Sequence, residues 1–319
     1  LFNKGVFLDV GSVDPGDIVW SPLKAMTRHW GWHRATSPQQ TMERIIDAEL
    51  VISNKVVLDR SHLAACRNLK LICIAATGSN NVDLEAAAEH GIVVTNVTGY
   101  ATPSVVQHVF SLILSLTTQQ QYYQRAVARG DWQRSSHFCL LDYPIRELSG
   151  KCMGILGYGE LGRGVDRLAK AFGMNVVVAQ RPGSEPDPDR IPLDELLPQV
   201  DVLTLHVPLA PNTRNLIGAR ELALMQPHAL LINTARGGIL DEAALAEALV
   251  NGKLGGAGID VLVAEPPVDG NPLLNPEIPN LIVTPHIAWA SHESRQRLVD
   301  DVAANIQAFL AGEIRNRVV

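Results

Sequence analysis

The most constraining stretch of this 319-residue chain lies near its middle. There the apolar run Cys152-Met153-Gly154-Ile155-Leu156 passes into Gly157-Tyr158-Gly159-Glu160-Leu161-Gly162 and then into a helical pattern from Gly164 to Phe172. A short apolar run closed by glycine reads as a buried strand, and the spacing after it as a helix. Three glycines so placed have separate duties. The first permits a tight turn, the second lets the backbone approach a pyrophosphate, and the third allows close packing of helix on strand. Amides at the helix start then face an anion. This context predicts a βαβ unit that binds a dinucleotide, with Gly157, Gly159, Glu160, Leu161 and Gly162 in the binding turn.

The rest of the chain is organised in the same way. Strand-like runs at residues 5–9, 50–53, 69–75 and 92–95 alternate with helical stretches such as 41–48 and 83–90. A second group of strands follows at 152–156, 175–179, 201–206, 229–233, 256–260 and 281–284. Such alternation predicts an α/β fold of two doubly wound, Rossmann-like parallel-sheet domains with a cleft between them. Gly99 and Pro103 mark a hinge at 98–103, with Thr102 placed to cap a helix from Pro103 to about Gln124. The final helix, about 291–311, has no strand after it and is expected to pack back on the first domain. The expected division is 1–99 with 288–319, flavodoxin-like and substrate-binding, and 100–287, dinucleotide-binding.

Composition narrows the function classes. Hydrophobic residues make up 46% and charged residues 19%, which fits a chain folded throughout. With 27 basic against 33 acidic side chains and no Lys or Arg run, nothing points to nucleic acid. Cys66, Cys73, Cys139 and Cys152 are widely spaced without a CxxC, so no metal site or disulfide framework is expected. The longest apolar run, 105–116, is broken by Gln107, His108 and Ser111 and is too short for a bilayer. No secretory signal pattern opens the chain, and a cytoplasmic location is expected.

Several polar residues sit at the carboxyl ends of predicted strands, the edge where doubly wound sheets bind ligands. Gln180 ends the second strand of the dinucleotide unit, where an acidic residue would select NAD by binding the adenosine ribose. A neutral amide there, with Arg181 beside it, favours NADP(H) and leaves NAD(H) as the alternative. Arg236, Glu265 and His286 follow later strands.

The segments Gly157 to Gly162, Asn233-Thr234-Ala235-Arg236-Gly237-Gly238, Gly258-Ile259-Asp260-Val261 with Glu265-Pro266-Pro267, and Thr284-Pro285-His286-Ile287-Ala288-Trp289 together resemble the D-isomer-specific 2-hydroxyacid dehydrogenase family. The resemblance spans nearly the whole chain. It implies hydride transfer between a nicotinamide and the 2-carbon of a small keto or hydroxy acid. The residues suit that chemistry in their own right. Reduction needs a proton donor, a cation for the carboxylate and a defined hydride face. His286 is the candidate acid-base group, Glu265 its orienting carboxylate, and Arg236 a fork of donors for a carboxylate. Taken singly, they would pass for a core histidine, a loop carboxylate and a capping arginine.

The resemblance further implies that the loop Ala76-Thr77-Gly78 holds the substrate carboxylate. The residues after it, Ser79-Asn80-Asn81, depart from the family's usual Gly-x-Asp-Asn. It places Asn54 and Lys55 toward substrate, and Thr102, His206, Pro208, Thr213, Thr234, Ala235, Asp260 and Ala288 along the cofactor. Trp289 together with Asn54 and Lys55 is similar to the hydroxypyruvate and glyoxylate reductases, also called glycerate dehydrogenases. A homodimer is implied, built from the Pro103 helix and an arm at 130–143 carrying Trp132 and Phe138. The alternatives are a lactate-type or bulky 2-keto acid substrate, and a non-catalytic dinucleotide sensor of the corepressor kind. Formate oxidation is disfavoured because Glu265, not glutamine, partners His286.

Overall fold

Aliphatic and β-branched residues form the strands wherever they run without charge, and the inner strands Leu50–Ser53, Leu71–Ile74, Val202–Leu205, Leu230–Asn233 and Gly256–Ile259 are buried on both faces. The computed structural model describes residues 1–185 and 187–319 and divides into two compact units, Leu1–Ala101 with Trp289–Val319, and Thr102–Ala288.

The first unit is a five-stranded parallel sheet. Its strands are β1 (Phe2–Phe7), β2 (Thr27–Trp32), β3 (Leu50–Ser53), β4 (Leu71–Ile74) and β5 (Val93–Thr95), in the order β2-β1-β3-β4-β5. That order is flavodoxin-like, and strand direction of winding reverses between β1 and β3. The helices are α1 (Ser21–Lys24), α2 (Pro38–Ile45), α3 (Arg60–Ala65) and α4 (Leu84–Glu89). Asp59 and Asp83 cap α3 and α4, accepting from the His62 and Ala86 amides. The carboxyl-terminal helix α11 (His292–Ala311) belongs to this unit. It is capped by Ser291 and buries Leu298, Val299, Val302, Ala303 and Ile306 in one core with Phe7, Leu50 and Ile52. Their spacing along the helix makes a single apolar stripe.

The second unit holds six parallel strands, β6 (Cys152–Leu156), β7 (Asn175–Val178), β8 (Val202–Leu205), β9 (Leu230–Asn233), β10 (Gly256–Ile259) and β11 (Leu281–Val283), in the order β11-β10-β9-β8-β6-β7. Its helices are α5 (Thr102–Thr117), α6 (Gln120–Ala128), α7 (Glu160–Ala171), α8 (Leu193–Leu196), α9 (Ala219–Leu224) and α10 (Glu242–Val250). Two glycines let α5 lie close to its neighbours. A Cβ at Gly258 of β10 would meet Leu112 Cβ at 2.9 Å, and one at Gly164 of α7 would meet Val106 Cγ2 at 2.7 Å.

The two doubly wound parallel sheets read from the sequence are present. Three details differ. β2 was missed because its Thr-Arg-His-Trp-Gly-Trp run is a partly exposed edge strand with no apolar core pattern. The single helix expected from Pro103 to Gln124 is two helices, broken at Gln119, whose φ is +53°. Thr102 is the first residue of α5 and not its cap, and its hydroxyl donates to Glu160 Oε1 at 2.6 Å. No helix of the described residues is long and apolar enough to cross a membrane.

Candidate active site

The glycine turn lies where the winding of the second sheet reverses, between β6 and β8. Gly157 has φ +100°, and a Cβ on it would meet the backbone of His206 at 2.6 Å. A Cβ on Gly162 would meet Gly157 O at 2.2 Å, so the third glycine lets α7 seat on its own turn. Gly159 is different in kind. Nothing lies within 4 Å of the Cβ it lacks, so the space above it is open. It also serves as the cap residue of α7 with no side-chain cap, which leaves the first-turn amides of Glu160, Leu161 and Gly162 without an intrahelical acceptor. This cradle of open space and unspent amides fits a pyrophosphate.

Two further atoms on this edge are buried without a partner, His206 Nδ1 after β8 and Thr234 Oγ1 after the neighbouring β9. Buried polar atoms are normally satisfied, so each of these two fits an edge at which a ligand binds. Burial pushes the His206 imidazole down to about 4, so it is neutral near pH 7. At the end of β7, the Gln180 amide is tied into its own loop. Its Nε2 donates to Ser184 Oγ at 2.7 Å and to Glu185 O at 2.6 Å, while its Oε1 accepts from Asp187 N. The Arg181 side chain is exposed and makes no hydrogen bond or ion pair among the described residues. Pro208 is exposed, whereas the Thr213 hydroxyl donates to Pro208 O at 2.7 Å and accepts from Ala210 N, so it shapes the loop after β8.

Arg236, Glu265 and His286 follow β9, β10 and β11, three adjacent strands. A Cβ on Gly237 would meet Leu262 O at 2.0 Å, which shows how closely the loop of Arg236 lies against the loop of Glu265. Arg236 is partly buried and spends Nη1 on Ala235 O at 2.7 Å. Ala235 itself is buried, its amide bound by Asn233 Oδ1. Glu265 accepts from Leu262 N at 2.8 Å through Oε1 and meets His286 Nδ1 at 2.6 Å through Oε2. A cavity of about 380 Å³ is lined by Glu265, His286, Asp260, Leu274 and Pro267. Among the described residues no group of three or more His, Cys, Asp or Glu side chains is arranged to hold a metal ion.

Asp260 is buried and fully engaged. Its carboxylate accepts from Thr284 Oγ1 at 2.5 Å and from the amides of Ile287 and Ala288 at 2.9 Å each. Ser104 of α5 donates to Ala288 O at 2.7 Å. Asp260 thus shapes the His286 segment, a duty its sequence motif did not reveal.

In the first unit, Asn54 follows β3 and lies beside the point where winding reverses. Asp9, a buried carboxylate that the sequence reading passed over, accepts from Asn54 N at 2.9 Å and Lys55 N at 2.7 Å. Burial raises the pKa of Asp9, and those amides oppose the rise. The Asn54 side chain is buried and donates to Ser12 Oγ, while Lys55 is exposed. After β4, Ala76 is buried, and the hydroxyl of the exposed Thr77 donates to Val97 O at 2.8 Å. Trp289 packs edge-on to Tyr100, with ring centroids 6.4 Å apart, in the core of this unit. His108, Thr284 and Asp9 are the polar residues most easily missed. The available signal for His108 was a partly buried polar side chain interrupting an apolar helix.

Comparison with known proteins places these features in context. The family model described as D-isomer specific 2-hydroxyacid dehydrogenase, NAD binding domain, matches residues 110–288. A glycerate dehydrogenase of Methylorubrum extorquens is 46% identical over 99% of both chains. A hydroxypyruvate reductase of Blautia hydrogenotrophica is 38% identical, again over 99% of both. Among solved structures, an NADPH-dependent glyoxylate/hydroxypyruvate reductase from Sinorhizobium meliloti, in complex with citrate, superposes with a TM-score of 0.82 at 27% identity, covering 99% of this chain and 98% of the other.

Proposed function

Because the chain belongs to the D-isomer-specific 2-hydroxyacid dehydrogenase family and carries its nicotinamide dinucleotide domain, we propose that it reduces hydroxypyruvate or glyoxylate to D-glycerate or glycolate with NADPH. The observation that carries this reading is the His286 Nδ1 to Glu265 Oε2 contact of 2.6 Å, set two loops from Arg236 on the sheet that bears the glycine turn. The names of the relatives, glycerate dehydrogenase and hydroxypyruvate reductase, support the substrate class.

When bound, the nicotinamide supplies the hydride that reduces the carbonyl carbon. The chain's own groups do the rest. With Nδ1 turned to Glu265, His286 delivers the proton to the carbonyl oxygen from Nε2, and takes it back when the hydroxy acid is oxidised. Glu265, fixed by Leu262 N, orients the ring through its contact with Nδ1. Arg236 binds the substrate carboxylate and polarises the adjacent carbonyl. The amides of Thr77 and Gly78 are assigned to the same carboxylate, with Asn54, Lys55 and Trp289 toward the rest of the substrate. The amides of α7 hold the pyrophosphate, and Thr102, His206, Pro208, Thr234, Ala235 and Ala288 line the remainder of the dinucleotide.

Preference for NADPH follows from charge. Gln180 brings no carboxylate to repel a 2′-phosphate, and the exposed Arg181 guanidinium is available to bind one. We also assign the protein to a cytoplasmic homodimer. Phe138 and Leu141 in the arm are 91% and 82% exposed, which is costly for a chain that stays single.

Steady-state assays with hydroxypyruvate, glyoxylate, pyruvate and phenylpyruvate, each with NADPH and NADH, test the reading. Hydroxypyruvate and glyoxylate should give the highest kcat/KM, with NADPH preferred and with that preference reduced in Arg181→Ala. Equal, feeble turnover of all four acids would refute the substrate, and absence of any turnover would favour a non-catalytic sensor. Sedimentation should give twice the 34.6 kDa chain mass, and a monomer would refute the dimer.

A further inference from the structure

We propose that His108, on α5, is a positioning residue for His286, acting through Thr284 and Asp260; the inference depends on the assignment of His286 as the proton donor. The Asp260 side chain is wholly buried, with 0% exposure. Its Oδ1 receives the Thr284 hydroxyl and Ile287 N, and its Oδ2 receives Ala288 N. These are the two amides that directly follow His286.

The hydrogen count assigns the next link. Thr284 has one hydroxyl hydrogen, spent on the carboxylate at 2.5 Å, so its oxygen is left as an acceptor. The 3.0 Å contact between Thr284 Oγ1 and His108 Nε2 therefore places a hydrogen on that nitrogen. The same nitrogen lies 3.5 Å from Asp260 Oδ1, and His108 is the only basic side chain within ion-pair distance of Asp260 among the described residues. A directed chain of donors thus runs from α5 through Thr284 to the carboxylate that grips the His286 segment.

That segment needs holding. His286 has φ +55°, a left-handed conformation that costs energy for any residue with a Cβ. Its amide donates to Asp260 O at 2.8 Å and to Thr284 O at 3.0 Å. The backbone is therefore fixed before the histidine by Thr284 and after it by the Asp260 carboxylate. A ring held on such a backbone reaches Glu265 in one orientation. If His108 is lost, the Thr284 hydroxyl loses the donor that fixes it on Asp260, the grip on the His286 segment loosens, and the ring loses its aim while the cofactor turn is unchanged.

The test compares His108→Leu, His108→Gln, Thr284→Val and the double variant His108→Leu/Thr284→Val, using hydroxypyruvate and NADPH. His108→Leu should lower kcat about ten-fold or more, the scale on which losing an outer hydrogen-bond partner reduces activity. The keto acid KM and the NADPH Kd should stay within about two-fold. His108→Gln, whose Nε2 can stand where the imidazole nitrogen stood, should recover most of kcat. The double variant should be no slower than the slower single variant, because both changes cut one chain. Unchanged kcat in His108→Leu, equal loss in the Gln and Leu variants, or multiplicative losses in the double variant would each overturn the proposal. Should the Leu variant fail to fold, Thr284→Val, which is nearly isosteric, carries the kcat test alone. Should the wild type reduce no 2-keto acid, the reaction assignment falls. Histidine NMR then decides this proposal: a slowly exchanging Nε2 hydrogen on His108, and a His286 ring signal that moves in Thr284→Val, are expected, and a rapidly exchanging Nε2 hydrogen would overturn it.

Discussion

Glu265 divides its two oxygens between jobs that a neutral amide cannot do together. Oε1 accepts from Leu262 N at 2.8 Å, and Oε2 meets His286 Nδ1 at 2.6 Å. In Glu265→Gln the oxygen can stay on Leu262 N, but the amide nitrogen that replaces Oε2 can only donate, so a ring carrying a hydrogen on Nδ1 loses its acceptor. We expect kcat to fall about ten- to a hundred-fold with NADPH affinity unchanged, as is usual for the loss of an outer partner. A variant keeping half of wild-type kcat would contradict this. At this scale the sequence was informative in an uneven way. The placement of His286, Glu265 and Arg236 after strand ends was legible in their motifs. Asp260 was found but placed along the cofactor, whereas its carboxylate is spent on Thr284, Ile287 and Ala288. His108 and Asp9 were not found, because hydrogen bonds between residues 176 apart, or 45 and 46 apart, leave no local pattern.

The strand-turn-helix unit at Gly157 to Gly162 separates folding from binding among its glycines. Gly162→Ala would press a methyl group onto Gly157 O, a backbone atom that cannot yield, and should cost about 1–3 kcal/mol of stability. Gly159 has ordinary negative φ and open space, so Gly159→Ala should leave the melting temperature within about 2 °C while weakening NADPH binding at least about ten-fold, or ~1.4 kcal/mol. Thermal melts and cofactor titration on both variants check this, and a destabilised Gly159→Ala that binds NADPH normally would reverse the assignment. Elements with uniform burial were readable from the sequence, as β3, β4 and β8 show. β2 was not, because an edge strand buries too little of its side chains to carry a periodic signal. The break at Gln119 was also hidden, since nothing in a Thr-Thr-Gln-Gln run announces a left-handed residue.

At the scale of the whole molecule, one buried imidazole at the edge of the second sheet couples protonation to stability. Burial lowers His206 from an ordinary value near 6.5 to about 4. Between those values the unfolded chain binds a proton that the folded chain refuses, so stability falls as pH drops from about 6.5 to about 4. The carboxylates of Asp17 and Asp59, held near 2 by their partners, lose their contributions only at lower pH. Urea unfolding of the cofactor-free protein at pH 7, 5.5 and 4.5 should therefore show a decline that is shallower in His206→Asn; equal slopes would show that His206 titrates normally. Two sheets, each with its own hydrophobic core, could be inferred from alternating elements, but the residues that pin the His286 segment could not, because they meet only after folding. The most direct measurement is single-turnover reduction of hydroxypyruvate by NADPH in wild type and His286→Ala, followed by loss of nicotinamide absorbance. The rate should fall about 10²- to 10⁴-fold in the variant while NADPH binds with unchanged affinity; equal rates would mean that the imidazole beside Glu265 does not supply the proton.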